Sequence, residues 1–310
     1  MYRRGLAGTP SAGAVHAREA PMRRATLLAR LGVLAAVSLV VAATAAAQPA
    51  PRPAPGARPP AARPVRPGKA GKVDVAATAV ALQSGEVAVG TRAAIALGTV
   101  TDAAAHGALL DGLVTGLHPE VAVAALDGLA KAPTEADVPT VLAYARHRNP
   151  AVRAAAIRAL TRYTSPPAAA RSLAALRDHD ASVRGAAAAA AGTRRDRAAI
   201  PALLALLDKG ETPAALALGA LADAELARVV AEHLGAAPDP TLAKSLGAML
   251  VRKEFGPEPA RLEVVRTLAK MDGTQVIAAL SDYVDATPAT PVVQSRREAE
   301  AALKLKLEDK

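Results

Sequence analysis

Apolar residues recur along this chain with two nested periods. Within "NPAVRAAAIRAL", Asn149 to Leu160, the positions Val152, Ala155, Ile157 and Leu160 fall at i, i+3, i+5 and i+8. That spacing lays them on one broad face of an α-helix. The phrase returns at a constant step on either side, before it as "HPEVAVAALDGL", His118 to Leu129, and after it as "DASVRGAAAAAA", Asp180 to Ala191. Superposed, the copies align Val121 with Val152 and Val183, and Ala124 with Ala155 and Ala186. Two further columns hold Leu126, Ile157 and Ala188, then Leu129, Leu160 and Ala191. Ile95 and Gly98 extend these last two columns one step towards the N-terminus.

The segments between the copies repeat as well. Leu142, Leu173 and Leu204 form one column and Ala145, Leu176 and Leu207 another, both predicted to be buried. Val138-Pro139 and Ile200-Pro201 stand two such steps apart. Proline is tolerated only in the first turn of a helix, because it lacks the N–H that deeper positions need. These prolines therefore start second helices near 135–147 and 196–208. Each unit becomes a helical hairpin, and Asn149 and Asp180 supply N-cap side chains for its first helix. One hairpin cannot bury its own apolar faces, whereas stacked neighbours can. The sequence predicts an all-α solenoid of seven or eight stacked hairpins over 73–310, with the second helices lining its concave side.

These units resemble HEAT repeats, in particular the short HEAT-like repeats first recognised in phycobilisome lyases. That family's pattern runs from Asp or Asn through Val-Arg into an Ala-rich helix ending Leu-Gly. "NPAVRAAAIRAL" and "DASVRGAAAAAAG" match it, and "IPALLALL" and "VPTVLAYA" match the opening of its second helix. The resemblance covers about 87–210 and fades after 211. It implies that Asn149, Arg153, Asp180 and Arg184 form a polar seam tying repeat to repeat. Bilin lyase activity is the enzyme class the family name suggests, but those enzymes are cytoplasmic and this chain reads as exported.

The address comes from residues 22–47, "MRRATLLARLGVLAAVSLVVAATAAAQ" being the stretch that begins at Met22. A basic start, an apolar run and small residues before Gln48 make the three-part form of a secretory signal, cleaved near Ala47. The alternative is an uncleaved helix anchored in the inner membrane. Leu31 to Ala47 is a short stretch for about 30 Å of hydrocarbon. Both readings export the rest, to the periplasm or beyond. Residues 1–21 read as a disordered upstream extension. Residues 48–72 hold eight prolines and no acid, the composition of an extended basic linker. That linker suits contact with anionic envelope polymers or lipid.

Composition sharpens this picture. Alanine dominates, Trp is absent and Phe255 is the sole Phe, which favours helix over strand. The absence of Cys excludes disulfides, thiolate catalysis and Cys-based metal centres. The net charge of +10 sits at the N-terminus: 1–72 carry +11, whereas 73–310 hold 26 Lys/Arg against 27 Asp/Glu. A nucleic-acid binder should carry its basic stripe on the folded face, so no nucleic-acid partner is expected.

Catalytic motifs are missing. There is no G-x-S-x-G, H-E-x-x-H, Walker loop or G-x-G-x-x-G. His118, His147 and His179 occupy successive turns, too far apart for a full metal ligand set. Deoxyhypusine hydroxylase, a helical iron enzyme, uses repeated His-Glu dipeptides, and none occurs here. No cofactor is expected. The reading is an exported, non-catalytic scaffold or adaptor for another protein. Its candidate binding side chains are Tyr144, Arg146, Arg148, Tyr163, Arg171 and Arg177, the residue types that dominate binding hot spots. One alternative is a lyase-like or enzyme-accessory protein with a small-molecule groove. Another is a cell-envelope structural protein held by its basic linker.

Overall fold

A computed structural model describes residues 73–308. These fall within one compact unit, 66–310. The extension at 1–21, the signal at 22–47 and the linker at 48–72 lie outside the described residues.

The described residues form fifteen α-helices and no strand. A leading helix, α1 (Val75–Leu82), is followed by seven hairpins in two rows. The first row holds α2 (Val87–Leu97), α4 (Pro119–Leu129), α6 (Pro150–Leu160), α8 (Ala181–Arg194), α10 (Thr212–Leu221), α12 (Asp239–Leu250) and α14 (Thr274–Ala286). The second row holds α3 (Ala103–Thr115), α5 (Val138–Tyr144), α7 (Pro166–Ala174), α9 (Ile200–Asp208), α11 (Ala224–Ala231), α13 (Glu258–Ala269) and α15 (Gln294–Glu308). As the prolines predict, Pro139 and Pro201 sit in the first turns of α5 and α9. Short 3-10 turns, Glu135–Asp137 and Arg197–Ala199, lead into those two helices.

First-row helices pack on one another throughout the stack. Small residues set their distance. A Cβ on Gly98 would lie 2.7 Å from the Gly128 Cα, and one on Gly247 would lie 2.6 Å from the Ala279 Cβ. The short helices α5, α7 and α9 touch one another far less.

The core follows the predicted columns with informative exceptions. Val121, Val152, Val183, Leu126, Ile157, Leu129 and Leu160 are buried, as are Ala145, Leu176 and Leu207. Ile95 is instead 53% exposed, because α2 turns Ala94 and Leu97 inwards. Ala124 and Ala186 are half-buried, and so is the column of Leu142, Leu173 and Leu204. The second helices α5 and α9 are shorter than predicted and bury Val138 and Val141 in one and Leu203, Leu206 and Leu207 in the other.

Periodicity ends before the stack does. The helices α4, α6, α8 and α10 start at Pro119, Pro150, Ala181 and Thr212, an even step. The next start, Asp239 of α12, comes early, and Thr274 of α14 comes late. Loops absorb the difference, since stacking constrains helix faces rather than unit length. The C-terminal end is pinned by a buried cluster. Tyr283 Oη and Ser295 Oγ are 2.6 Å apart, and Ser295 donates from N and Oγ to Glu258 at 2.6 and 2.9 Å. These bonds join α13, α14 and α15.

Candidate binding surface

Side chains with chemistry gather at the two edges of the stack, where turns join the rows. One edge carries the turns that lead from a second helix into the next first helix. There Tyr144 donates to the Leu113 carbonyl at 2.7 Å and stacks on the His147 ring at 6.0 Å between centroids. His147 Nδ1 accepts from the Asn149 N–H at 3.0 Å. Asn149 in turn caps α6 by accepting from the Ala151 N–H at 2.9 Å. This turn is thus wired within itself and to the preceding repeat.

Arginine makes the link between turns. Arg153, 5% exposed, donates to the carbonyls of His147 and Arg148 at 3.0 and 3.1 Å. It also grips Asp178 with two bonds of 3.0 and 2.8 Å. One step on, Arg184 donates to the carbonyls of Asp178 and His179, each at 2.9 Å, and to Glu211 at 2.7 Å. The bond to Asp178 holds the Arg153 guanidinium above its usual value, and the bond to Glu211 does the same for Arg184. Burial alone would raise the Asp178 carboxyl, but Arg153 and the Asp180 N–H outweigh it and hold it low.

The predicted seam therefore divides. Arg153 and Arg184 do tie repeat to repeat. Asn149 and Asp180 are local caps, Asp180 accepting from the Ser182 N–H at 2.9 Å. The carboxylates that receive the arginines are Asp178 and Glu211. Asp178 was legible as a carboxylate in the turn and Glu211 as the residue one step after Asp180, but caps compete for the same positions.

The candidate binding side chains divide too. Arg146, Arg148 and Arg177 are exposed. Tyr144 and Arg171 are half-buried, and Arg171 donates to the Ala145 carbonyl. Tyr163 is 2% exposed and cannot meet a partner. Its hydroxyl donates to Asp137 at 3.2 Å, and burial followed by the Asp137 charge pushes it well above the usual phenol value.

Asp137 lies at the centre of the second edge, and sequence reasoning missed it. Fully buried, it accepts from the Thr134 N–H at 2.9 Å and the Thr134 hydroxyl at 2.7 Å, and pairs with His106 Nε2 at 2.9 Å. Burial raises its carboxyl, yet these bonds more than compensate and leave it below the ordinary value. The available signal was spacing: His106 and Asp137 are one repeat step apart, as are Arg158 and Asp127, which pair at 3.2 Å. His106 also borders a recess of about 340 Å³ walled by Leu97, Val100 and Leu109, with Lys131 at its side. Among the described residues no three His, Asp or Glu side chains are grouped to hold a metal ion.

Two rows of antiparallel helices, stacked by repetition and tied at both edges, define an α-solenoid. Residues 107–176 match the HEAT-repeats family, and helical hairpins of the same kind continue on either side of them. Among curated proteins none matches. The fold is similar to that of the karyopherin Kap121p at 12% identity and a TM-score of 0.50, over 76% of this chain and 33% of that one. It is also similar to the complex of CpcE and CpcF of phycocyanin lyase from Nostoc sp. PCC7120, at 17% identity and a TM-score of 0.44, covering 78% of this chain and 98% of that one. Human deoxyhypusine hydroxylase aligns at 17% identity with a TM-score of 0.36, over 76% and 96% of the two chains.

Proposed function

We propose that this protein is an exported, non-catalytic scaffold that holds another protein on its solenoid surface. One observation supports the reading above others. The side chains best equipped for chemistry are occupied by packing: Arg153 with Asp178, Arg184 with Glu211, and His106 with Asp137. Arg146, Arg148 and Arg177 remain exposed on successive turns, offering contacts without reactive partners. Export rests on the signal-like residues 22–47, and the basic linker 48–72 adds a weaker, salt-screened contact with anionic envelope polymers or lipid. The test is photo-cross-linking from a probe at position 148 in the exported fraction, with N-terminal sequencing of the same material. A discrete cross-linked protein and a chain starting near Gln48 are expected. A chain kept in the cytoplasm with its full N-terminus, or no cross-linked protein, would overturn the reading.

A second reading, an enzyme-accessory protein with a small-molecule groove, draws support from the recess beside His106. Its walls are apolar and its one histidine is backed by a buried carboxylate. A His106→Ala variant that loses a bound metabolite while keeping its protein partner would favour that reading.

A further inference from the structure

Charge in the solenoid is segregated along the chain. Residues 144–211 hold 12 Lys/Arg against 5 Asp/Glu, while the remainder of 73–310 holds 14 against 22. The near-neutral body is thus a block of +7 set between flanks that together carry −8. Part of the block is internally paired, as Arg153 and Arg184 show. Of the rest, Arg146, Arg148, Arg177 and Lys209 lie on the edge formed by the turns around 146, 177 and 209, whereas Arg158, Arg162, Arg194, Arg195 and Arg197 lie towards the opposite edge. Among the described residues no carboxylate is within ion-pair distance of Arg146, Arg148, Arg177 or Lys209, and all four are exposed.

Two features make this more than a solvated face. Arg177 and Lys209 line a groove of about 470 Å³ between the turns, together with Asp178, His179 and Arg184. Arg171, with Arg146 and Asp178 as charged neighbours, has its Nε buried and unpartnered. Burial, and after it the neighbouring charge of Arg146, holds the Arg171 guanidinium below its usual value. A half-buried arginine repelled by a second arginine is an arrangement that an incoming anion relieves.

We infer that this edge is a docking strip for an extended acidic segment of the partner protein, seated across Arg146, Arg148, Arg171, Arg177 and Lys209. The inference rests on the scaffold reading above and adds the partner's chemistry. Helices in a stack lie about 8–10 Å apart, and an extended chain rises about 3.3 Å per residue. A carboxylate at every third residue therefore meets one turn after another. Nucleic acid fits the strip less well. Its nearby ring, Tyr144, is bonded to the Leu113 carbonyl rather than offered for base stacking.

The probe is a fluorescein-labelled peptide with Glu at every third position, titrated into the full-length protein at physiological salt. The strip variant is Arg146→Glu, Arg177→Glu and Lys209→Glu. A charge-matched control carries Arg92→Glu, Lys244→Glu and Lys253→Glu, which are exposed elsewhere. A Gln version of the strip variant guards against misfolding, with thermal melts for all. The strip variant should bind at least about tenfold more weakly, the effect of removing several charge contacts, and the control should change less than about twofold. Equal losses in both variants would assign binding to bulk charge or to the N-terminal segment and overturn the proposal. So would tighter binding of a labelled oligothymidylate than of the peptide. The scaffold reading fails separately: if the wild-type chain cross-links no protein, that reading falls whatever the peptide does. A cross-linked partner that stays bound to the strip variant removes only the strip.

Discussion

The repeats from Asn149 to Glu211 and those from Thr212 to Glu308 solve the same packing problem with different residues. In the first group one arginine column does much of the work, Arg153 and Arg184 each closing two turn carbonyls and one carboxylate of the next turn, while Arg194 serves Leu160 and Tyr163. In the second group arginines at unrelated positions take over. Arg252 donates to the carbonyls of Gly219, Ala220 and Ala222 at 3.1, 2.7 and 3.0 Å. Arg261 serves Leu250, Arg252 and Lys253, and Arg296 serves Val284 and Thr287. What both groups need is a donor for the carbonyls that helix ends and turns leave open. A fixed column is one way to supply it, and it is the way that leaves a periodic trace in sequence.

If the two groups share one kind of core, equal truncations should cost the same in each. Leu160→Ala in α6 and Leu246→Ala in α12 both empty fully buried sites. Each should lose about 2–5 kcal/mol of unfolding free energy, measured by urea denaturation. A loss under about 1 kcal/mol for Leu246→Ala would break the comparison.

Next come the arginines. Arg153→Ala leaves Asp178 buried without its partner and should cost about 3 kcal/mol. Arg252→Ala opens three carbonyls and should cost slightly less, about 2 kcal/mol. Melting curves of the two variants order them.

Backbone spacing gives a smaller contrast. Gly247→Ala drives a Cβ to 2.6 Å from Ala279 and should destabilise by about 1–3 kcal/mol. Gly185→Ala meets only Pro213 Cγ at 3.4 Å and should be neutral or stabilising by up to about 1 kcal/mol, as a helix-interior glycine is replaced.

Acid provides a further separation. Asp137 and Asp178 are held below the ordinary aspartate range when folded, despite burial. Groups lowered in this way stabilise the fold at neutral pH and lose that contribution as pH falls through their folded values. The melting temperature should hold from pH 7 to about 5 and fall below about 4. Asp178→Asn should flatten that fall. Arg158→Ala, which removes an exposed pair with Asp127, should change stability by less than about 0.5 kcal/mol.

How much was legible follows from the same contrast. The Val121, Val152 and Val183 column and the proline-led second helices could be read because their step is constant. The stack beyond Glu211 could not be tracked in register, because loops bring α12 in early and α14 late. Side-chain roles were harder still. Tyr163 and Arg177 are both attractive binding residues on paper, but α6 ends by turning Tyr163 in to Asp137, while Arg177 stays outside. A column also fixes a residue's unit more firmly than its facing: Leu173 falls in step with Leu142 and Leu204, yet all three sit at a half-buried boundary.

Amide hydrogen exchange resolved along residues 73–308 bears most directly on whether the irregular repeats belong to one continuous stack. First-row amides of α6 and of α12 should open with the same free energy, close to that of global unfolding, because each is buried between stacked neighbours. If α12 exchanged through local opening several kcal/mol below α6, the repeats after Glu211 would be a loosely appended segment and the account of a single solenoid would be contradicted.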